Sequence, residues 1–162
     1  MTRSGAWLLS AVLLATGLGL AADPKRDEGK LSQEEQRILE LTNEARAKEK
    51  LPALKANATL LQVARAHAAN MAKQHMMKHE LDGKTPAQRV EKAGYDYASV
   101  GENIAQGDKG ATIKQVMKGW MDSKVHRDNI LSPKYDEIGI GLATDENGAT
   151  YYAQVFGRQR EP

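Results

Sequence analysis

In the run Val100-Gly101-Glu102-Asn103-Ile104-Ala105, a carboxylate shares one face of a strand with two aliphatic side chains. Side chains alternate along a strand, so Val100, Glu102 and Ile104 point the same way, toward a face that must be buried. A buried carboxylate is costly unless a cation, a donor or a metal answers it, so the fold has to bring such a group from elsewhere in the chain. His79, which closes a long helical pattern, and His126, in the segment Trp120 to Leu131, are the expected partners. Two imidazoles and a carboxylate suit a divalent metal, zinc by ligand type, or an acid/base cleft.

The rest of the chain alternates helices with a few strands. Ser32 and Glu35 form a capping box ahead of Ile38, Leu41, Thr42 and Ala45, a first amphipathic helix that stops at Leu51-Pro52. Asn57 caps a second helix, with Leu60, Ala64, His67 and Met71 on one stripe. The sequence Asn57-Ala58-Thr59 is also a glycosylation sequon, but the cap accounts for Asn57 by itself. Pro86 opens a short helix, and Ile113, Val116, Met117, Trp120 and Met121 mark another, whose C-terminal end carries Ser123 and His126. Ile138, Ile140 and Leu142 alternate with Gly139 and Gly141, and Asn147-Gly148 turns this strand into a second one, Thr150 to Phe156. The glycines leave one strand face bare, as a closely packed helix or ligand requires. The pattern predicts an α+β domain.

Arg3 precedes an apolar run from Ala6 to Leu20, and Gly19-Leu20-Ala21 ends it with small residues at the positions a signal peptidase reads. Residues 1–21 read as a signal peptide, 22–31 as a flexible lead-in and 32–158 as one domain. The run falls short of the ~20 residues that span a bilayer, so no membrane span is expected after processing. Secretion, periplasmic or extracellular, follows. The chain has no cysteine, so it holds together by packing where disulfides would be available. A formal net charge of +2 gives no electrostatic case for nucleic acid.

Three ordered segments, GENIAQG (101–107), WMDSKVHRDNIL (120–131) and YYAQVFG (151–157), make the chain resemble the CAP superfamily, the cysteine-rich secretory, antigen 5 and pathogenesis-related proteins, in the cysteine-free form of bacterial SCP-like domains. The resemblance runs from about Leu39 to Gly157. It implies a three-layer α-β-α sandwich with a cleft in which His79 and His126 face each other as metal ligands beside Glu102. Eukaryotic members add a second glutamate three residues after the helix tryptophan; that position here is Ser123, which removes one carboxylate from the cleft.

The candidate site is therefore His79 and His126 for a divalent metal, with Glu102, Asn103 and Ser123 lining the cleft and Glu102 the candidate general base. A metal-binding module with a small or lipid ligand, a metal-dependent hydrolase of peptide or ester bonds, and an inert scaffold that meets a cell-envelope component are the readings left open. A monomer is expected. His67 reads as a satisfied core imidazole, His75 as solvent-facing, Asn103 and Asn129 as supports of the cleft backbone, and Arg127 as a surface partner of Asp128 or Glu137. Trp120 and the tyrosines at 95, 97, 151 and 152 read as core more readily than as a lipid groove.

Overall fold

The computed structural model describes residues 29–161. The expected signal peptide, 1–21, and most of the lead-in, 22–31, lie outside the described residues.

Local signals start the first four helices. At α1 (Gln33–Lys48) Ser32 Oγ accepts from the Glu35 amide and Glu35 accepts from the Ser32 amide, the expected capping box. The same carboxylate takes a two-pronged bond from Arg65 at 2.7 and 2.8 Å, which ties α1 to α2 (Ala58–Gln74). Asn57 Oδ1 accepts from the Leu60 amide at the head of α2, while Asn57 Nδ2 donates to Glu137. Thr85 with Gln88 and Thr112 with Gln115 repeat the box at α3 (Pro86–Lys92) and α4 (Ile113–Asp122), and α5 (Lys124–Ile130) follows directly.

A four-stranded sheet runs between the helices. Its strands are β1 (Lys55–Ala56), β2 (Tyr97–Gly107), β3 (Glu137–Thr144) and β4 (Thr150–Gln159), in the order β1-β3-β4-β2. β3 and β4 form the expected antiparallel hairpin, β2 pairs antiparallel with β4, and the two residues of β1 run parallel to β3. Such a short strand carries no periodicity and is invisible to a sequence reading.

Alternation along the strands builds two cores. Ile138, Ile140, Tyr152 and Phe156 face α1, α4 and α5, whereas Tyr151, Ala153 and Val155 face α2. Gly139 and Gly141 permit the close approach of α2, since a Cβ at either would lie within 2.0 to 2.3 Å of the Leu60 or Ala64 backbone. A helix, rather than a ligand, occupies that bare face. The result is the expected three-layer α-β-α sandwich. Trp120 is 1% exposed and donates its indole N–H to the Ile104 carbonyl, which places it in the core. Arg46, equally buried, donates to the carbonyls of Pro52, Ile130, Ser132 and Tyr135 and so fixes the chain after α1 to the end of α5.

Two helix ends differ from the sequence expectation. The second helix stops at Gln74 because His75 adopts the left-handed conformation (φ 52°), its amide bonding back to Ala72 and that of Met76 to Met71. His79 therefore lies in the loop that follows, and the i, i+4 relation between His75 and His79 does not exist. The fourth helix breaks at Ser123, whose extended backbone (ψ 122°) ends α4 and starts α5, so His126 belongs to a separate helix.

Candidate functional site

Glu102 sits near the middle of β2, an edge strand, opposite Val155 of β4. Its side chain is 1% exposed and turns toward the α2 layer, as the alternation with Ile104 requires. The groups that answer it come from three segments. His79 Nδ1 lies 2.9 Å from Oε1, and the Arg89 guanidinium donates to Oε2 at 2.7 Å. The other terminal nitrogen of Arg89 donates to the carbonyls of His79 and Lys84, so one arginine holds both the carboxylate and the loop that carries its histidine. His67 Nε2 stands 3.7 Å from Oε1, near enough for charge to matter and too far for a hydrogen bond.

His67 departs from its expected role. It is buried, as its stripe position requires, but among the described residues neither ring nitrogen finds a hydrogen-bond partner, and Nε of Arg89 is buried and unpaired as well. A Lys78 backbone group approaches His67 without completing a bond. Burial is the largest cause that pushes the His67 pKa down, against the opposing pull of Glu102. The ring is thus held neutral with one donor and one acceptor unanswered, and each such orphan costs about 1–3 kcal/mol. The stripe position of His67 is legible in the sequence; the missing partners are not. Arg89 does have a signal there that the expectation of two histidine partners passes over: a buried carboxylate calls for a cation, and arginine is the commonest one able to supply two bonds.

Asn103, the next residue, points the other way. Its Nδ2 donates to the His126 carbonyl and to Gln154, its Oδ1 accepts from Asn129, and Asn129 also donates to the Glu102 carbonyl. Gln154 continues to Thr42 and Thr42 to the Ile38 carbonyl. This chain of amides fixes α5, and with it His126, against β2.

The His126 ring makes no hydrogen bond among the described residues. Its pKa is pushed down first by burial and then by the charge of His79. A pocket of about 630 Å³ opens beside His126 and Ser123, with Met77, Ile104, Val116 and Trp120 among its walls. No hydrogen bond joins Ser123 to His126. Arg127 donates to the Met121 carbonyl rather than to Asp128, which pairs with Lys124, or to Glu137, which accepts from Tyr95 and Asn57. His75 is also not simply solvent-facing: its ring bridges Asp145 and Glu146 at 3.0 and 3.1 Å, which raises its pKa and pins the end of α2 to the β3–β4 turn.

Among the described residues no three His, Cys, Asp or Glu side chains converge on a point that could hold a metal. The His126 ring at the groove and the exposed His79 ring, held by the Glu102 carboxylate, remain. An α-β-α sandwich with a histidine-bearing cleft at the edge of its sheet is the class of protein that fold and site define.

The model of the CAP family, the cysteine-rich secretory protein family, matches residues 39–156, and the chain belongs to that family. It is 36% identical over 129 residues to the uncharacterized protein YkwD of Bacillus subtilis, covering 79% of this chain and 49% of YkwD. The chain thus spans about half the length of that relative, or less in a second one from the same organism. Among solved structures it resembles an outer surface protein of Borrelia burgdorferi, with a TM-score of 0.73 and 25% identity over 81% of this chain and 97% of that one. It also resembles an extracellular SCP-domain protein of Bacillus anthracis, with a TM-score of 0.70 and 26% identity over 81% of this chain and 45% of that one.

Proposed function

We propose that this CAP domain is exported and binds a divalent metal ion, zinc by ligand type, through His79 and His126, with the adjoining groove receiving a small or lipid-like ligand. The observation that carries the reading is the 2.9 Å bond between His79 Nδ1 and Glu102. Beside Arg89 the carboxylate acts as acceptor, so Nδ1 carries the proton and Nε2 keeps its lone pair for a ligand's role. Burial keeps the His126 ring neutral, with a lone pair of its own. Zinc held there would act as a Lewis acid toward whatever occupies the groove. Two imidazoles leave half of a tetrahedron to water or ligand atoms, which makes this a loose site and not a structural one.

Both oxygens of Glu102 are engaged and its side chain is almost wholly buried. That arrangement suits orienting His79 better than taking a proton from a water in the groove, and it favours the binding module over the hydrolase. Among the described residues no helix is long and apolar enough to cross a membrane. Relatives described as extracellular and outer surface proteins support export.

Zinc titration calorimetry at neutral pH tests the metal. His79→Ala combined with His126→Ala should abolish binding, and His75→Ala should leave it intact. Glu102→Gln should weaken it by about 10- to 100-fold, as loss of an orienting carboxylate does. Affinity should also fall as pH drops through about 6.5, where free imidazole takes a proton. Binding that survives loss of both cleft histidines would refute the reading.

A further inference from the structure

The loop between α2 and α3 is tied down at its two ends by different chemistry. Toward α3 the Arg89 guanidinium donates to the His79 and Lys84 carbonyls. Toward α2 stands His75, whose left-handed backbone closes the helix and whose ring reaches across to the β3–β4 turn, with Nδ1 3.0 Å from Asp145 and Nε2 3.1 Å from Glu146. Residues 76–78 lie between these anchors, outside any helix or strand. Met77 in that segment is 46% exposed and forms part of the wall of the groove beside His126.

Counting protons decides the state of the His75 ring. A carboxylate only accepts, so each ring nitrogen that faces one must bring a hydrogen, and a neutral imidazole has one N–H for its two nitrogens. The two-sided bridge therefore needs imidazolium. When the ring loses a proton, one N–H remains for two acceptors. Asp145 is the better placed to keep it, since its side chain is 3% exposed and its other oxygen is already held by the Asn147 and Ala149 amides, whereas Glu146 stands out in solvent. Hydrogen bonding to Asp145 and then the charge of Glu146 raise the His75 pKa. Tyr151 on β4 feels both carboxylates, Lys73 is the cation in the last turn of α2, and the Lys109 side chain lies against Gly148 of the turn. With the pKa raised in the fold, the bridge is complete below about 6.5 and is lost as pH climbs through the higher folded value.

We propose that His75, Asp145 and Glu146 form a proton-operated latch on the groove: the imidazolium, bridging both carboxylates, clamps residues 76–78 and keeps Met77 in the groove wall, and the neutral ring, held by Asp145 alone, leaves that wall free to shift. The consequence for a ligand rests on the reading of the groove as a binding site; the clamp itself does not. His79 keeps its bonds to Glu102 and Arg89 in both states, so the latch acts on the groove wall and not on the histidine.

NMR of the full chain between pH 5.5 and 8.5, with neither ligand nor metal added, follows the His75 ring nitrogens and the Met77 methyl group. The ring should titrate with a midpoint above about 6.5, and the Met77 signal should move with the same midpoint. Glu146→Gln, at an exposed position, should lower both midpoints together. His75→Asn keeps a residue that tolerates the left-handed cap but removes the charge, so it should erase the Met77 step at that midpoint. At pH 6 the Met76 amide, which bonds to the Met71 carbonyl, should exchange about two- to fivefold faster in His75→Asn than in the parent, the size of an exposed ion pair. Because no metal is present, these readouts stand or fall apart from the zinc site. A ring midpoint at or below about 6.5, a Met77 step unchanged in His75→Asn, or equal Met76 exchange in the two chains would each overturn the proposal.

Discussion

Glu102 and Asn103 are neighbours on one strand, both buried, and they point into opposite layers with opposite outcomes. On the α1, α4 and α5 side, Asn103, Asn129, Gln154 and Thr42 form a neutral network in which each amide is answered. On the α2 side, Glu102 and Arg89 form a buried ion pair beside an imidazole that completes no hydrogen bond among the described residues. Satisfied polar networks in a core fix one arrangement of the chain; a charged cluster left partly unsatisfied works against stability and is the kind of place where function is found. The difference separates a scaffold from a site within two consecutive residues.

The largest effect should come from breaking the charged side. Glu102→Ala leaves the Arg89 guanidinium, 13% exposed, without its carboxylate, and the loss of one partner of a buried pair costs about 3–5 kcal/mol. Urea denaturation measures it, and an unchanged midpoint would mean that the ion pair is no anchor and that the contrast between the two faces is wrong. Asn103→Ala should cost less, about 1–3 kcal/mol for the acceptors left unpaired, and should loosen α5 by the same loss of bonds. Hydrogen exchange in α5 that matches the parent would show that the amide network does not hold His126.

The smallest effect sharpens the comparison most. His67→Leu removes two unanswered nitrogens at the expense of an imperfect fit of the new side chain, so stability at pH 7.5 should not fall and should rise by about 1 kcal/mol. Its pH dependence should change instead. Burial depresses the His67 pKa in the fold, so the unfolded chain takes up the proton first as pH falls through about 6.5. Stability present above that pH is lost below it, and His67→Leu should flatten this decline. His126, also depressed, keeps part of it, while His75, raised by Asp145 and Glu146, works in the opposite sense. Thermal midpoints between pH 5 and 7.5 that decline equally in parent and variant would show that His67 protonates freely and is not held neutral.

Much of the architecture was legible because it rests on local chemistry. The capping box at Ser32 and Glu35, the Asn57 cap, the stripe through Val116, Met117 and Trp120, and the glycine alternation in β3 each specify a structure within a few residues. The errors fall where a local pattern was overridden. A helical spacing ran on to His79, but a single left-handed residue at His75 ended the helix at Gln74. The break at Ser123 likewise fell just past the apolar stripe that ends at Met121, where the expected helix runs on to His126.

The sequence alone determined that Glu102 would be buried, because alternation along a strand leaves a side chain only one face to occupy, and family motifs fixed which sandwich would bury it. The tertiary structure decided what meets it. Arg89 and His67 reach the carboxylate from α3 and α2, and His79 from the loop between them, and no period in the chain links those positions to β2. Their convergence depends on how three segments pack around one strand edge, and the electrostatics of a buried charge are set by that packing rather than by spacing along the chain.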